Sequence, residues 1–217
     1  MKYILFTLII VLCGSFTPPI KNVQVIFDGN SISNYSSANG LNGYYLPITT
    51  SNLLYSDGKK FACQYYPVSG KATYMLINDF TTKIAPILRK NDIVVLWEIT
   101  NDMHHDYTAQ QGFDNLVTYA NLVRAKNAKI VVVNYIARNY PGDAADINTR
   151  GFGVNTLISQ NPQYFDGIVD VGSKAIFDNA SDCNNVTYYS DKLHLTAQGR
   201  DTVAQAIRLV LQNMINN

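Results

Sequence analysis

The chain lacks a charge excess of either sign. Its 217 residues include 17 Lys plus Arg against 16 Asp plus Glu, a net charge of +1. That balance excludes the basic field that nucleic-acid binding needs and any strong attraction to anionic membranes. A long apolar run is also missing. The most apolar stretch, residues 3–12, is too short to span a bilayer as a helix. There is no internal repeat, no low-complexity linker and no Gly-x-Ser-x-Gly elbow, the last of which argues against the ordinary α/β-hydrolase fold. Cysteines number only three, at Cys13, Cys63 and Cys183.

What is present reads as one globular, exported domain. Hydrophobic residues make up 47% of the chain and charged residues 15%, a globular balance and not a disordered one. Lys2, the apolar run that follows and the small residues Cys13-Gly14-Ser15 form a secretory signal with cleavage near Ser15. Residues 1–15 are therefore expected to leave, and residues 16–217 to form a single domain in a secreted or periplasmic protein without stable membrane insertion. A lipoprotein anchor at Cys13 is the minority reading, because Leu12 is bulky where lipoprotein processing prefers a small residue. Export leaves Cys63 and Cys183 either as a disulfide or as two separate buried thiols.

Beyond the leader, short β-rich runs alternate with helical stretches. The strand candidates are Val23–Asp28, Phe61–Pro67, Ile93–Trp97, Lys129–Tyr135 and Gly167–Val171. Three are continuous Val/Ile-rich runs, as expected of strands covered on both faces. Helices are predicted over Gly43–Leu54, interrupted by Pro47; over Ala72–Leu88, distorted near Pro86; over Phe113–Lys126; and over Ile147–Ser159, weakened by two glycines. The last helix has Thr196 as its cap and an apolar stripe of Val203, Ile207, Val210, Leu211 and Met214. The alternation predicts an α/β three-layer sandwich around a mainly parallel five-stranded sheet, with strand C-terminal ends along one edge.

Polar groups cluster at those ends. Ser31 lies in Asp28-Gly29-Asn30-Ser31, just past the first strand. Asn101 follows the third strand in Ile99-Thr100-Asn101-Asp102, and Gly70 sits in Ser69-Gly70-Lys71. Asp191-Lys192-Leu193-His194 precedes the last helix. Taken singly, each has a plain role: Ser31 as an N-cap or turn serine, Asn101 and Gly70 as turn formers, His194 as a helix cap. Together they supply a hydroxyl, an imidazole to take its proton, a carboxylate to orient the imidazole, and an amide to hold an oxyanion.

In these four blocks the chain resembles the SGNH hydrolase (GDSL esterase/lipase) superfamily across nearly its whole mature length. The resemblance implies a flavodoxin-like fold and a serine-esterase activity without metal or organic cofactor. It implies Ser31 as nucleophile, His194 as base, Asp191 as its partner, and an oxyanion hole from Ser31, Gly70 and Asn101. Two positions depart from the family pattern. Asn30 stands where an acidic residue braces the loop, and Ile99 replaces a glycine, its bulk expected near the pocket floor. The expected substrate is a short acyl ester, acetyl above all, on a carbohydrate. A lipase or thioesterase on the same site is the alternative, as is a non-catalytic carbohydrate-binding protein that kept the fold. The paired tyrosines Tyr44-Tyr45, Tyr65-Tyr66 and Tyr188-Tyr189 serve either sugar stacking or the core. His104-His105-Asp106 reads as a rim loop and not a metal site. Glycosylation sequons begin at Asn34, Asn179 and Asn185.

Overall fold

The computed structural model describes residues 23–34 and 45–215; residues 1–15, expected to form the signal, and Cys13 within them lie outside these. Five parallel strands form one sheet in the order β2-β1-β3-β4-β5. They are β1 (Val23–Gly29), β2 (Phe61–Tyr65), β3 (Ile93–Trp97), β4 (Lys129–Val133) and β5 (Gly167–Val169). Strand positions agree with expectation, but β2, β4 and β5 each stop two residues early. The helices are α1 (Ser31–Asn34), α2 (Tyr45–Ser56), α3 (Thr73–Lys83), α4 (Thr100–His104), α5 (Ala109–Arg124), α6 (Ile147–Gln160) and α7 (Ala197–Leu211).

The apolar runs are continuous because alternate side chains enter two different cores. Val25, Phe27, Val95, Trp97, Val131 and Val133 pack with Leu54 of α2 and Val203, Ile207 and Leu211 of α7. Ile26, Val94, Leu96, Ile130 and Val132 pack with Leu76 and Phe80 of α3, Leu116 and Val123 of α5, and Val154 of α6. Burying each such side chain contributes about 1.5–3 kcal/mol before the entropy of ordering it.

Helix boundaries follow local chemistry. Pro47 does not interrupt α2, because it lies in the first turn, where the missing N–H is no loss. Helix α3 ends at Lys83, ahead of Pro86, whose ring disfavours helical geometry at the residue before it. Helix α5 starts earlier than expected, because Thr108 and Gln111 form a reciprocal capping box. Thr196 caps α7 by accepting the Gly199 N–H at 3.2 Å.

Cys63 and Cys183 are free thiols, so the disulfide does not form. Cys63 on β2 has its Sγ 3.0 Å from Ser51 Oγ on α2, and Cys183 is buried in the core facing α7. Ile99 also differs from expectation. It is 1% exposed and packs with Leu96 and Met103 in the core on the α3/α5 face, so its bulk is absorbed beneath the site.

Candidate active site

The first site element begins where β1 must stop. At Gly29 φ is +150°, and a Cβ there would lie 2.4 Å from the Trp97 carbonyl oxygen on β3. Only glycine fits this close approach and backbone conformation. The chain then turns into α1 with Ser31 as its first helical residue. Asn30 shapes the turn by accepting the Ile32 N–H on Oδ1 at 2.9 Å. N–H groups of a helix's first turn have no partner inside the helix, so the Ser31 N–H opens toward whatever sits above it.

The second element is a closed turn. Tyr189 and Leu195 pair in an antiparallel bridge. The Ser190 N–H and hydroxyl both donate to the His194 carbonyl, at 2.8 and 3.0 Å. Lys192 takes a left-handed conformation at φ +69° to close the turn. The turn is anchored by buried Leu195 and by the Tyr189 hydroxyl, which donates to the Ala137 carbonyl at 2.9 Å. Within it, Asp191 Oδ1 accepts the backbone N–H groups of Leu193 (3.1 Å) and His194 (2.7 Å).

The two elements meet. His194 Nδ1 lies 2.7 Å from Asp191 Oδ2, and His194 Nε2 lies 3.0 Å from Ser31 Oγ, across 163 residues of sequence. Burial alone would raise the Asp191 pKa, but the hydrogen bonds from His194 and Leu193 outweigh it and hold the carboxyl below its ordinary value. An ionised carboxylate only accepts, so Nδ1 carries the ring proton and Nε2 presents a lone pair to the Ser31 hydroxyl. Burial lowers the His194 pKa below its ordinary 6.5, against the pull of Asp191, and the positive charges of Arg200 and Arg138 lower it further. The imidazole must be neutral to take a proton, so a depressed pKa preserves the working form into mild acid. The acid limb of kcat/KM should therefore have its midpoint below pH 6.5. A pH profile on a soluble ester checks this, and a midpoint above 7 would contradict it.

The remaining predicted residues assemble around the same edge. Val68 donates its N–H to the Gly29 carbonyl at 2.9 Å, which ties the loop after β2 to the Ser31 turn. Gly70 in that loop adopts φ +79°, a turn conformation that suits glycine. Asn101 Nδ2 donates to the adjacent Lys71 carbonyl at 2.7 Å, leaving its second amide hydrogen for another acceptor. Asp102 Oδ1 accepts the Thr73 N–H at 2.8 Å and so caps α3, whose own N-cap, Ala72, has no side-chain acceptor. The structure thus joins Ser31, His194 and Asp191 by direct contact and connects Gly70 and Asn101 through one loop. His104, His105 and Asp106 lie at the end of α4 and the turn after it, exposed. Among the described residues no three His, Cys, Asp or Glu side chains converge as a metal-ligand set.

Several residues escaped the sequence reading. Arg138, 2% exposed, pairs with Asp143 at 2.5 Å and donates to the Thr100 carbonyl, bracing the start of α4. Asp28 is buried against the Tyr119 hydroxyl, and its burial pushes its pKa up to about 6. Glu98 is wholly buried between Trp97 and Ile99. An acid enclosed by apolar neighbours at the end of a buried strand was the available signal for Glu98.

No family model and no curated protein matches the chain in sequence. Solved structures do match in shape. A lipase/acylhydrolase from Enterococcus faecalis superposes with a TM-score of 0.70 at 12% identity, over 89% of this chain and 97% of that one. The psychrotrophic esterase EstA from Pseudoalteromonas sp. gives 0.65 at 13%, over 90% and 100%. An acetyl xylan esterase, AlAXEase, gives 0.63 at 19%, over 85% and 98%. The chain therefore has the α/β fold of the SGNH esterases and lipases.

Proposed function

We propose that the protein is a serine hydrolase of the SGNH type that cleaves carboxylic esters through an acyl-enzyme on Ser31. The observation that carries this reading is the continuous line from Asp191 through His194 to Ser31 Oγ, with contacts of 2.7 and 3.0 Å. His194 takes the Ser31 proton as Oγ attacks the ester carbonyl. The Ser31 and Gly70 N–H groups and the Asn101 amide hold the oxyanion. His194 then protonates the leaving alcohol, and water repeats the cycle on the acyl-enzyme.

The preferred substrate is a short acyl ester, acetyl first, on a carbohydrate, met outside the cytoplasm after the leader is removed. Its support is the leader-like start of the chain and the acetyl xylan esterase among the structural neighbours. A lipase reading has the support of the Enterococcus faecalis neighbour. A panel of acetyl, butyryl and octanoyl aryl esters with acetylated xylan separates them. The expected order is acetyl over octanoyl by at least about tenfold in kcat/KM, since each methylene misfitted in a pocket costs roughly 1–3 kcal/mol. Faster turnover of octanoyl esters would replace the acetyl reading with the lipase one. A non-catalytic binding protein would give no turnover and no labelling by a fluorophosphonate.

A further inference from the structure

Glu98 has no part in the chemistry just described, yet it lies under both halves of the site. Its side chain is 0% exposed. Helix α4, which carries Asn101, has Ile99 at its N-cap and hence no side-chain cap of its own. Glu98 supplies one from the preceding residue. Oε1 accepts the Asn101 N–H at 3.0 Å, and the Asp102 N–H also faces the carboxyl. On the other side is Asn30, next to the nucleophile. Its Oδ1 holds the Ile32 N–H, while its buried Nδ2 meets no conventional hydrogen-bond acceptor and faces the Glu98 carboxyl, whose pKa is pushed well above the ordinary carboxylate range by burial and by the neighbouring Asp102 carboxyl. A buried acid without a countercharge is costly, so its presence here needs a compensating role. In either protonation state Oε1 remains an acceptor for the Asn101 N–H.

We infer that Glu98 is a positioning residue that holds the Asn101 amide in register with the Ser31 turn by binding the backbone of one and facing the side chain of the other. It touches no reacting atom; its effect passes through Asn101. This inference rests on the reading of Asn101 as an oxyanion donor. The acid that the family pattern places beside the nucleophile is an amide in this chain, Asn30, and the buried carboxyl stands one strand over, on the residue after β3.

The test uses the full mature protein and four variants, with kcat and KM on an aryl acetate and thermal unfolding for each. Glu98→Met keeps the volume and removes the acceptor. It should lower kcat about 10- to 100-fold with KM changed less than about threefold, a part of the roughly 10²- to 10³-fold that an oxyanion donor supplies. Glu98→Gln keeps the acceptor and should recover kcat to within about fivefold of wild type. Asn101→Ala should itself cost about 10²- to 10³-fold. In that background Glu98→Met should cost less than about threefold more, because the group it positions is gone. Wild-type kcat in Glu98→Met, or its full cost persisting without the Asn101 amide, overturns the inference. Wild-type kcat in Asn101→Ala overturns the oxyanion reading instead. Should Glu98→Met not fold, Glu98→Asp carries the test by withdrawing the carboxyl one methylene from the Asn101 N–H. A kcat reduced at least about fivefold supports the role, and an unchanged one ends it.

Discussion

Ser31→Ala should reduce kcat on an aryl acetate by on the order of 10⁶-fold while leaving the fold and its thermal transition intact. On the proposed mechanism the loss is this large because the serine, imidazole and carboxylate act as one unit. Once Oγ is gone, His194 has no hydroxyl to activate, and only the oxyanion donors and substrate binding remain. The fold should tolerate the change. Ser31 Oγ contacts His194 Nε2 at 3.0 Å, while the turn itself is held by Gly29 and Asn30, which the substitution does not touch. Burst kinetics and fluorophosphonate labelling should vanish together. Retained turnover with lost labelling would mean that another nucleophile or an activated water carries the reaction.

Asp191→Asn should cost on the order of 10⁴-fold in kcat with little change in KM. The reason is the tautomer. Asp191 Oδ1 already serves the backbone N–H groups of Leu193 and His194, so an asparagine there keeps its carbonyl on that side. Its NH₂ group then replaces Oδ2 opposite His194 Nδ1 and donates to it, which moves the ring proton to Nε2. The imidazole would meet the Ser31 hydroxyl with a proton and not a lone pair. The comparison with Asp191→Ala is informative, because alanine removes the carboxylate without imposing the wrong tautomer and should be no worse. An asparagine variant within tenfold of wild type would show that Asp191 holds the turn and contributes little to the base.

The parts of this architecture that could be read from the chain are those set by near neighbours. Ile93–Trp97 is a strand buried on both faces, and its composition says so without any partner being known. Thr196 caps α7 through a bond three residues long. Asp191 meets His194 within one turn, so the spacing alone permits the contact. The structure departs from expectation where a side-chain cap or a distant packing partner decides. Helix α5 starts early because of a capping box that apolar periodicity does not register. The bulk of Ile99 goes to the core and not the pocket, a choice made by packing against Leu96 and Met103. Cys63 and Cys183 stay apart because each is held by its own neighbours on different elements.

By itself, then, the sequence determined the alternation of buried strands and amphipathic helices, the parallel sheet that follows from it, and the local carboxylate–imidazole pair. Only the tertiary structure decided that this pair faces Ser31, that the loop of Gly70 is tied to both Gly29 and Asn101, and that Glu98 lies between the two halves of the site. The physical reason is range: caps, turns and periodicity act over a few residues, whereas these contacts depend on how the sheet orders its strands and on what each buried polar group finds when water is excluded.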